Sequence, residues 1–184
     1  MEDAALELWL VRHGETTRSR DGRLAGWADV RLTAHGREEA RSVGPLLAGC
    51  RFDGVWSSDL ARARASARLA WGRAVPDRRL REIDFGRLER ERWATLDDGQ
   101  RTSLLAFQGF HAPGGESLED LAARVHDFLA GLPPGRHLLF THGGVIRLLT
   151  RAAGEDRFPP TGSVTVLDWA NRRIAAIHRA PGRE

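Results

Sequence analysis

Three short stretches of the chain carry residues suited to phosphoryl chemistry: Arg12-His13-Gly14, Ser57-Ser58-Asp59-Leu60-Ala61-Arg62 and His142-Gly143-Gly144. Arginine presents a fork of donors that matches phosphate oxygens in pairs. A neutral imidazole nitrogen can attack phosphorus and split one hard step into two. Nearby cations stabilise the transferring group without a metal ion. His13 is therefore the candidate nucleophile, and Arg12 and Arg62 are candidate anion ligands. His142 stands just before a predicted helix, where backbone N–H groups and the helix dipole favour an anion. The leaving alcohol needs a proton and the attacking water must lose one, so a carboxylate must be in reach. The stretch Leu80-Arg81-Glu82-Ile83-Asp84-Phe85-Gly86 offers two candidates, Glu82 and Asp84.

Each of the three stretches follows an apolar run that reads as a buried strand: residues 6–11, 52–56 and 137–141. In open α/β sheets, ligands bind just past the carboxyl ends of the strands. Three neighbouring parallel strands would therefore bring these groups into one pocket, with Gly14 letting the backbone approach the ligand. Helices are expected between the strands. Thr33 caps one whose apolar face holds Ala40, Val43, Leu46 and Leu47, with His35 facing solvent from its first turn. Asp59 or Ser58 is expected to cap a second over residues 60–71, which carries Arg62 in its first turn. Ser117 caps a third, with Leu118, Leu121, Ala122, Val125, Phe128 and Leu129 buried and His126 outside. A fourth covers residues 145–153 and ends at Gly154. Residues 75–77 read as a short strand, and 164–169 with 172–178 as an edge hairpin turning at Ala170-Asn171. Residues 16–29 read as a loop with Trp27 packed on its base, and residues 87–116 as a lid broken by Pro113-Gly114-Gly115. The pattern predicts an α/β fold: a three-layer α/β/α sandwich with a mostly parallel central sheet and a small helical lid insertion.

Composition narrows the function. The 184 residues suit a single domain over 1–184, and 41% hydrophobic with 29% charged residues is ordinary for a globular protein. The formal charge is only +3, and every basic side chain besides histidine is arginine, since the chain has no lysine. These cations interleave with acids, as in Glu89-Arg90-Glu91-Arg92, which argues against a nucleic-acid partner. One cysteine, Cys50, excludes an internal disulfide framework or a cysteine-based zinc site, and it reads as a small apolar residue ending a helix. Met1-Glu2-Asp3 lacks a signal-peptide charge pattern, and no apolar run approaches the ~20 residues that span a bilayer. A cytoplasmic protein without a membrane partner is expected, as monomer or homodimer, with frayed final residues.

Taken in order, the motifs resemble the histidine phosphatase superfamily, which includes the phosphoglycerate mutases. Arg12-His13-Gly14-Glu15-Thr16 is similar to its first motif, and Leu32-Thr33 with Gly36 and Ala40 to the helix that follows. Ser57-Ser58-Asp59-Leu60-Ala61-Arg62-Ala63 is similar to the second, and Thr141-His142-Gly143-Gly144 to the last. Pro113-Gly114-Gly115-Glu116-Ser117 is similar to a segment of the small phosphatase branch, including α-ribazole-phosphate phosphatases. The resemblance implies His13 as nucleophile, Glu82 as acid/base, Arg12, Arg62 and His142 as phosphate ligands, and a structural Glu15. It also implies substrate contacts from Gly14, Ser19, Gly26 and Gly143, and no cofactor. Three positions depart from the family pattern: Ser19 replaces Asn, Glu89-Arg90 replaces Glu-Gly, and Ser66 replaces Thr.

The expected activity is metal-independent hydrolysis of a small phosphomonoester through phosphohistidine, with α-ribazole phosphate as the leading substrate. The alternatives are a cofactor-dependent phosphoglycerate mutase and a non-catalytic phosphate-binding regulatory module. Mutases of the superfamily carry longer insertions than residues 87–116, and a full set of reactive groups argues against the binding module. A metal site on His13, His142 and Glu82 lacks any paired-histidine motif, and the arginines would repel a dication. Taken singly, Arg-His-Gly suits a turn, His142 a helix cap, and Glu82 a surface ion pair with Arg81; their joint placement at strand ends argues otherwise. Within the lid, Trp93 and Phe110 are expected to form its own small core or to stack on a substrate ring.

Overall fold

The computed structural model describes residues 6–179; the acidic N-terminus and the last five residues discussed above lie outside them. Six strands form one sheet: β1 (Leu6–Arg12), β2 (Gly54–Ser57), β3 (Val75–Pro76), β4 (Gly135–Thr141), β5 (Val164–Asp168) and β6 (Arg173–His178). Their order is β3-β2-β4-β1-β5-β6. The first four run parallel; β5 turns back antiparallel to β1, and β6 pairs antiparallel with β5 at the edge. The sheet is thus mostly parallel, as expected, and β1 lies at its centre beside β4.

Helices cover both faces. On one side Val43 and Leu47 of α2 (Ala34–Leu47) and Ala67 of α3 (Ala61–Ala70) meet Val11, Leu138, Phe140, Val164 and Val166 of the sheet. On the other, Leu121, Val125 and Phe128 of α5 (Leu118–Ala130) and Val145, Ile146 and Leu149 of α6 (Gly143–Ala152) meet Leu8, Leu10, Leu139 and Leu167. Alternate strand residues feed opposite faces, which is the period-2 geometry of a pleated strand. Thr33 and Ser117 cap α2 and α5 as expected, and His126 is exposed.

Several local expectations are corrected. The first residue before α3 is Leu60, with no side-chain cap. Asp59 cannot serve, because both its oxygens accept from Arg81 at 2.7 Å. The same contact takes Arg81 away from the ion pair envisaged with Glu82. Trp27 packs not on its own loop but on the stretch after residue 80: its indole N–H donates to the Glu82 carbonyl at 2.8 Å, and Arg81 lies 4.8 Å over its ring. Strand β2 begins at Gly54 rather than Phe52, and its first three residues are only half-buried, since only the two-residue β3 lies beyond it.

Loop 16–29 contains one short helix, α1 (Thr17–Arg20), capped by a reciprocal Thr16–Ser19 box. The 87–116 segment contains α4 (Asp98–Ala106), also closed by a reciprocal box between Asp97 and Gln100. The segment has no separate core. Leu96, Leu104, Phe110 and Ala112 join the main cluster, and Phe110 packs edge-on against Phe85 at 6.0 Å. Arg90, one of the departures from the family pattern, holds a φ of +81° with an exposed side chain. That conformation costs a residue with a Cβ roughly 1–2 kcal/mol. Arg90→Gly is expected to stabilise the fold by about 0.5–1 kcal/mol once the added freedom of the unfolded chain is deducted. Thermal unfolding should register it as a rise of roughly 1–4 °C.

Candidate active site

The strand ends converge as expected. Arg12 pairs in register with Thr141, so β1 and β4 end together, and the His13 N–H donates to the Thr141 carbonyl at 3.1 Å. The N–H of Ser58, just past β2, donates to the Phe140 carbonyl at 2.9 Å. Arg12, His13, Arg62 and Glu82 thereby line one cavity of about 610 Å³.

His13 is nearly buried and its tautomer follows from its neighbours. Nδ1 lies 2.7 Å from the Gly14 carbonyl, which can only accept, so Nδ1 carries the proton. Nε2 then keeps its lone pair, toward which the Arg62 Nε–H donates at 3.3 Å. Burial, then Arg62, then Arg12 hold the imidazolium well below the usual histidine value, so the ring is neutral. Arg62 is fully buried, its pKa lowered by desolvation to about 10, and it stays charged at neutral pH. Its other nitrogens donate to the carbonyls of Gly26 at 2.6 Å and Ala28 at 3.0 Å.

His142 is also fully buried and meets His13 edge to face, with ring centres 5.1 Å apart. Its Nε2 lies 2.8 Å from the Ser58 hydroxyl. The Ser58 hydroxyl also accepts the Leu60 N–H at 3.3 Å, and when it donates to Nε2 the His142 proton sits on Nδ1. Burial, then Arg62, then His13 keep this ring neutral as well. Among the described residues, two buried side-chain nitrogens have no protein partner: His142 Nδ1 and Arg12 Nε. Buried donors require acceptors, and both of these belong to residues at the ends of the paired strands β1 and β4. The rest of Arg12 is held in place, with Nη1 donating to the Pro159 carbonyl and Phe158 stacked on its guanidinium at 4.6 Å.

Glu82 faces the cavity, and its two oxygens accept from Ile83 N at 3.0 Å and Gly144 N at 3.1 Å. A Cβ at position 144 would lie 2.2 Å from Glu82 Oε1, so a side chain there would push the carboxylate out of its place. Asp84 is absent from the cavity wall, and its carboxylate accepts the Gly86 N–H at 2.8 Å within a turn. Glu15 accepts from the Thr33 hydroxyl at 2.7 Å, in keeping with a structural role.

The glycines act differently from the simple expectation of close ligand approach. Gly14 is needed because a Cβ would lie 2.0 Å from the Gly36 carbonyl oxygen; its N–H is taken by Ser66 at 3.1 Å. Gly26 holds a φ of +51° and offers its carbonyl to Arg62. Gly143 lies where a Cβ would meet Phe158 at 2.6 Å. Ser19 lines the cavity while its hydroxyl serves the Thr16 box. His35 is exposed as expected.

Three supporting residues escaped sequence reasoning. Arg124 donates to the carbonyls of Arg79, Arg81 and Glu82 and pairs with Glu116 at 2.7 Å, fixing the backbone that carries Glu82. Its position beside Leu121 and Phe128 on α5 was the available signal. Trp27 bonds the same Glu82 carbonyl, and Phe158, in a stretch with no pattern, covers Arg12.

An α/β sheet with this constellation at its carboxyl edge defines a phosphoryl-transfer class of site, and the chain belongs to the histidine phosphatase superfamily (branch 1), whose model matches residues 8–179. A protein named probable phosphoglycerate mutase GpmB, from Salmonella choleraesuis, is 39% identical, covering 92% of this chain and 80% of that one. The crystal structure of TTHB049 from Thermus thermophilus is 50% identical, with a TM-score of 0.88 over 93% of this chain and 98% of its own. An Escherichia coli structure described as a "putative alpha-ribazole-5'-P phosphatase" is 29% identical, with a TM-score of 0.76 over 97% of both chains.

Proposed function

We propose that the protein is a phosphomonoesterase that works through a phosphohistidine. The observation that carries this reading is a neutral His13 with its Nε2 lone pair beside the Arg62 guanidinium, between the ends of two strands that each supply a buried, unpartnered nitrogen. The phosphoryl group binds against Arg12, Arg62 and His142, whose donors meet its oxygens. His13 Nε2 forms a bond to phosphorus as the P–O bond to the alcohol breaks, and Glu82 gives its proton to the leaving oxygen. Glu82 then takes a proton from water as that water attacks phosphorus, releasing inorganic phosphate and restoring His13. No step needs a metal ion, and the two guanidinium groups oppose a cation at this position.

The walls above this floor favour hydrolysis over mutase chemistry. Leu24, Ile83, Phe85, Leu105, Phe107 and Phe158 present an apolar surface to the rest of the substrate. Glycerate would bury a carboxylate there at high cost. An alcohol that carries an aromatic ring, such as α-ribazole, suits it, which makes α-ribazole phosphate our leading substrate. The mutase reading is favoured by the name of the Salmonella relative.

The deciding test is release of inorganic phosphate from α-ribazole phosphate, aryl phosphates, sugar phosphates and 3-phosphoglycerate, with a chelator present. Hydrolysis strongest for the aromatic esters is expected. Interconversion of phosphoglycerates on adding bisphosphoglycerate, with no phosphate released from any ester, would replace this reading with a mutase.

A further inference from the structure

The apolar wall of the cavity depends on a partly buried cation that sequence motifs do not mark. Leu104, Leu105 and Phe107 at the end of α4 form much of that wall. Among the described residues, α4 lies broadly against no other helix or strand. Leu104 packs into the main core, and the end of α4 is also gripped by Arg147, which projects from α6, the helix that starts just after His142. Arg147 Nη1 donates to the Leu104 carbonyl at 2.8 Å and Nη2 to the Leu105 carbonyl at 2.6 Å. Nε and Nη2 also grip Asp156 at 2.6 and 2.8 Å. A second cation, Arg151, reaches Asp156 at 2.6 Å.

The geometry is that of a clamp. Carbonyls in the last turn of a helix carry the negative end of its dipole and have spare acceptor capacity; the Leu104 carbonyl takes the Phe107 N–H at 3.2 Å besides the guanidinium. A guanidinium there suits both properties. It also lies 4.8 Å from the Phe107 ring, which occupies a left-handed conformation at φ +50°. A bulky residue keeps that conformation only when its surroundings enforce it. Four of the five Arg147 N–H groups are accounted for by framework acceptors, so although Arg147 lines the cavity it is committed to the wall rather than to a substrate anion.

We propose that Arg147 is a specificity-setting positioning residue: through the Leu104 and Leu105 carbonyls and Asp156 it fixes the apolar wall relative to the His142 helix, and so selects phosphomonoesters with a bulky apolar or aromatic leaving group. This rests on reading the floor of the cavity as a phosphoryl site. The wall's outer members fit such a group, since Leu105, Phe158 and Trp93 are large apolar side chains left 63%, 60% and 37% exposed around one opening.

Binding of two inert phosphonates separates this proposal from catalysis. Calorimetry should show 1-naphthylmethylphosphonate binding at least tenfold tighter than methylphosphonate. Arg147→Met should cost the naphthyl compound at least tenfold more affinity than the methyl compound. Arg147→Lys, which keeps the charge but cannot span two carbonyls and Asp156, should recover only part of the difference. Leu105→Ser, at an exposed position that does not endanger folding, should shrink the same ratio. Equal affinities in the unaltered protein, or a ratio within twofold of it in both Arg147→Met and Leu105→Ser, would overturn the proposal. Preferential naphthyl binding that falls in these variants, in a protein that hydrolyses no ester, would sink the phosphatase reading and leave this one standing.

Discussion

His13→Ala should lower kcat for every phosphomonoester by about 10⁶-fold, the scale seen when a covalent nucleophile is removed. The variant should also fail to acquire acid-labile phosphate from labelled substrate, the direct readout of a missing phosphohistidine. The reason lies in the geometry rather than in the residue type alone. With Nδ1–H given to the Gly14 carbonyl, Nε2 is the sole attacking atom, and Arg62 fixes its direction. Retained turnover and labelling in the variant would refute the assignment. The pH profile carries the same signature. Burial and two guanidinium groups hold the His13 ring neutral well below its ordinary pKa of 6.5, so the acidic limb of kcat/KM that reports His13 falls below that value. Stability follows with a definite sign: the unfolded imidazole takes up a proton near 6.5 and the folded one does not, so stability is lost as pH falls through that value. The alanine variant should lose less of it over the same range, with the remainder carried by His142.

Glu82→Gln has the second largest effect. General acid/base catalysis contributes about 10²–10⁴-fold, and kcat for alkyl phosphates should fall by that amount. p-Nitrophenyl phosphate separates the two half-reactions, because its leaving group needs no proton. Formation of the phosphoenzyme should stay fast, and breakdown should become limiting, seen as a burst of nitrophenol followed by a slow phase. An equal loss in both phases would point to a disturbed site instead. That control matters here, because both Glu82 oxygens accept backbone N–H groups. The glutamine nitrogen would face one of these donors, at a cost of about 1–3 kcal/mol in stability. A melting curve measured alongside the kinetics reads that cost separately.

Much of this site was legible before any fold was known. Apolar runs ending abruptly at Arg12-His13, Ser57-Ser58 and Thr141-His142 mark strands of a parallel sheet, and the carboxyl ends of such strands are where ligands bind. Choosing Glu82 over Asp84 needed the family pattern; the structure supplies a physical reason, since Glu82 lines the cavity and Asp84 is spent on a turn. The capping of α3 was misread because Asp59 has a stronger partner 22 residues away in Arg81.

By itself, then, the sequence determined the candidate reactive groups, the strands that deliver them and the family to which the chain belongs. Those depend on local periodicity and on side-chain type, both of which are written in consecutive residues. Tertiary structure alone decided which nitrogen of His13 keeps its lone pair, what Gly14 and Gly36 are for, and how Arg124, Phe158 and Arg147 hold the site and its walls. Each of these is a contact between residues distant in the chain, where burial sets the protonation state and the packing of backbone on backbone sets which positions tolerate a side chain.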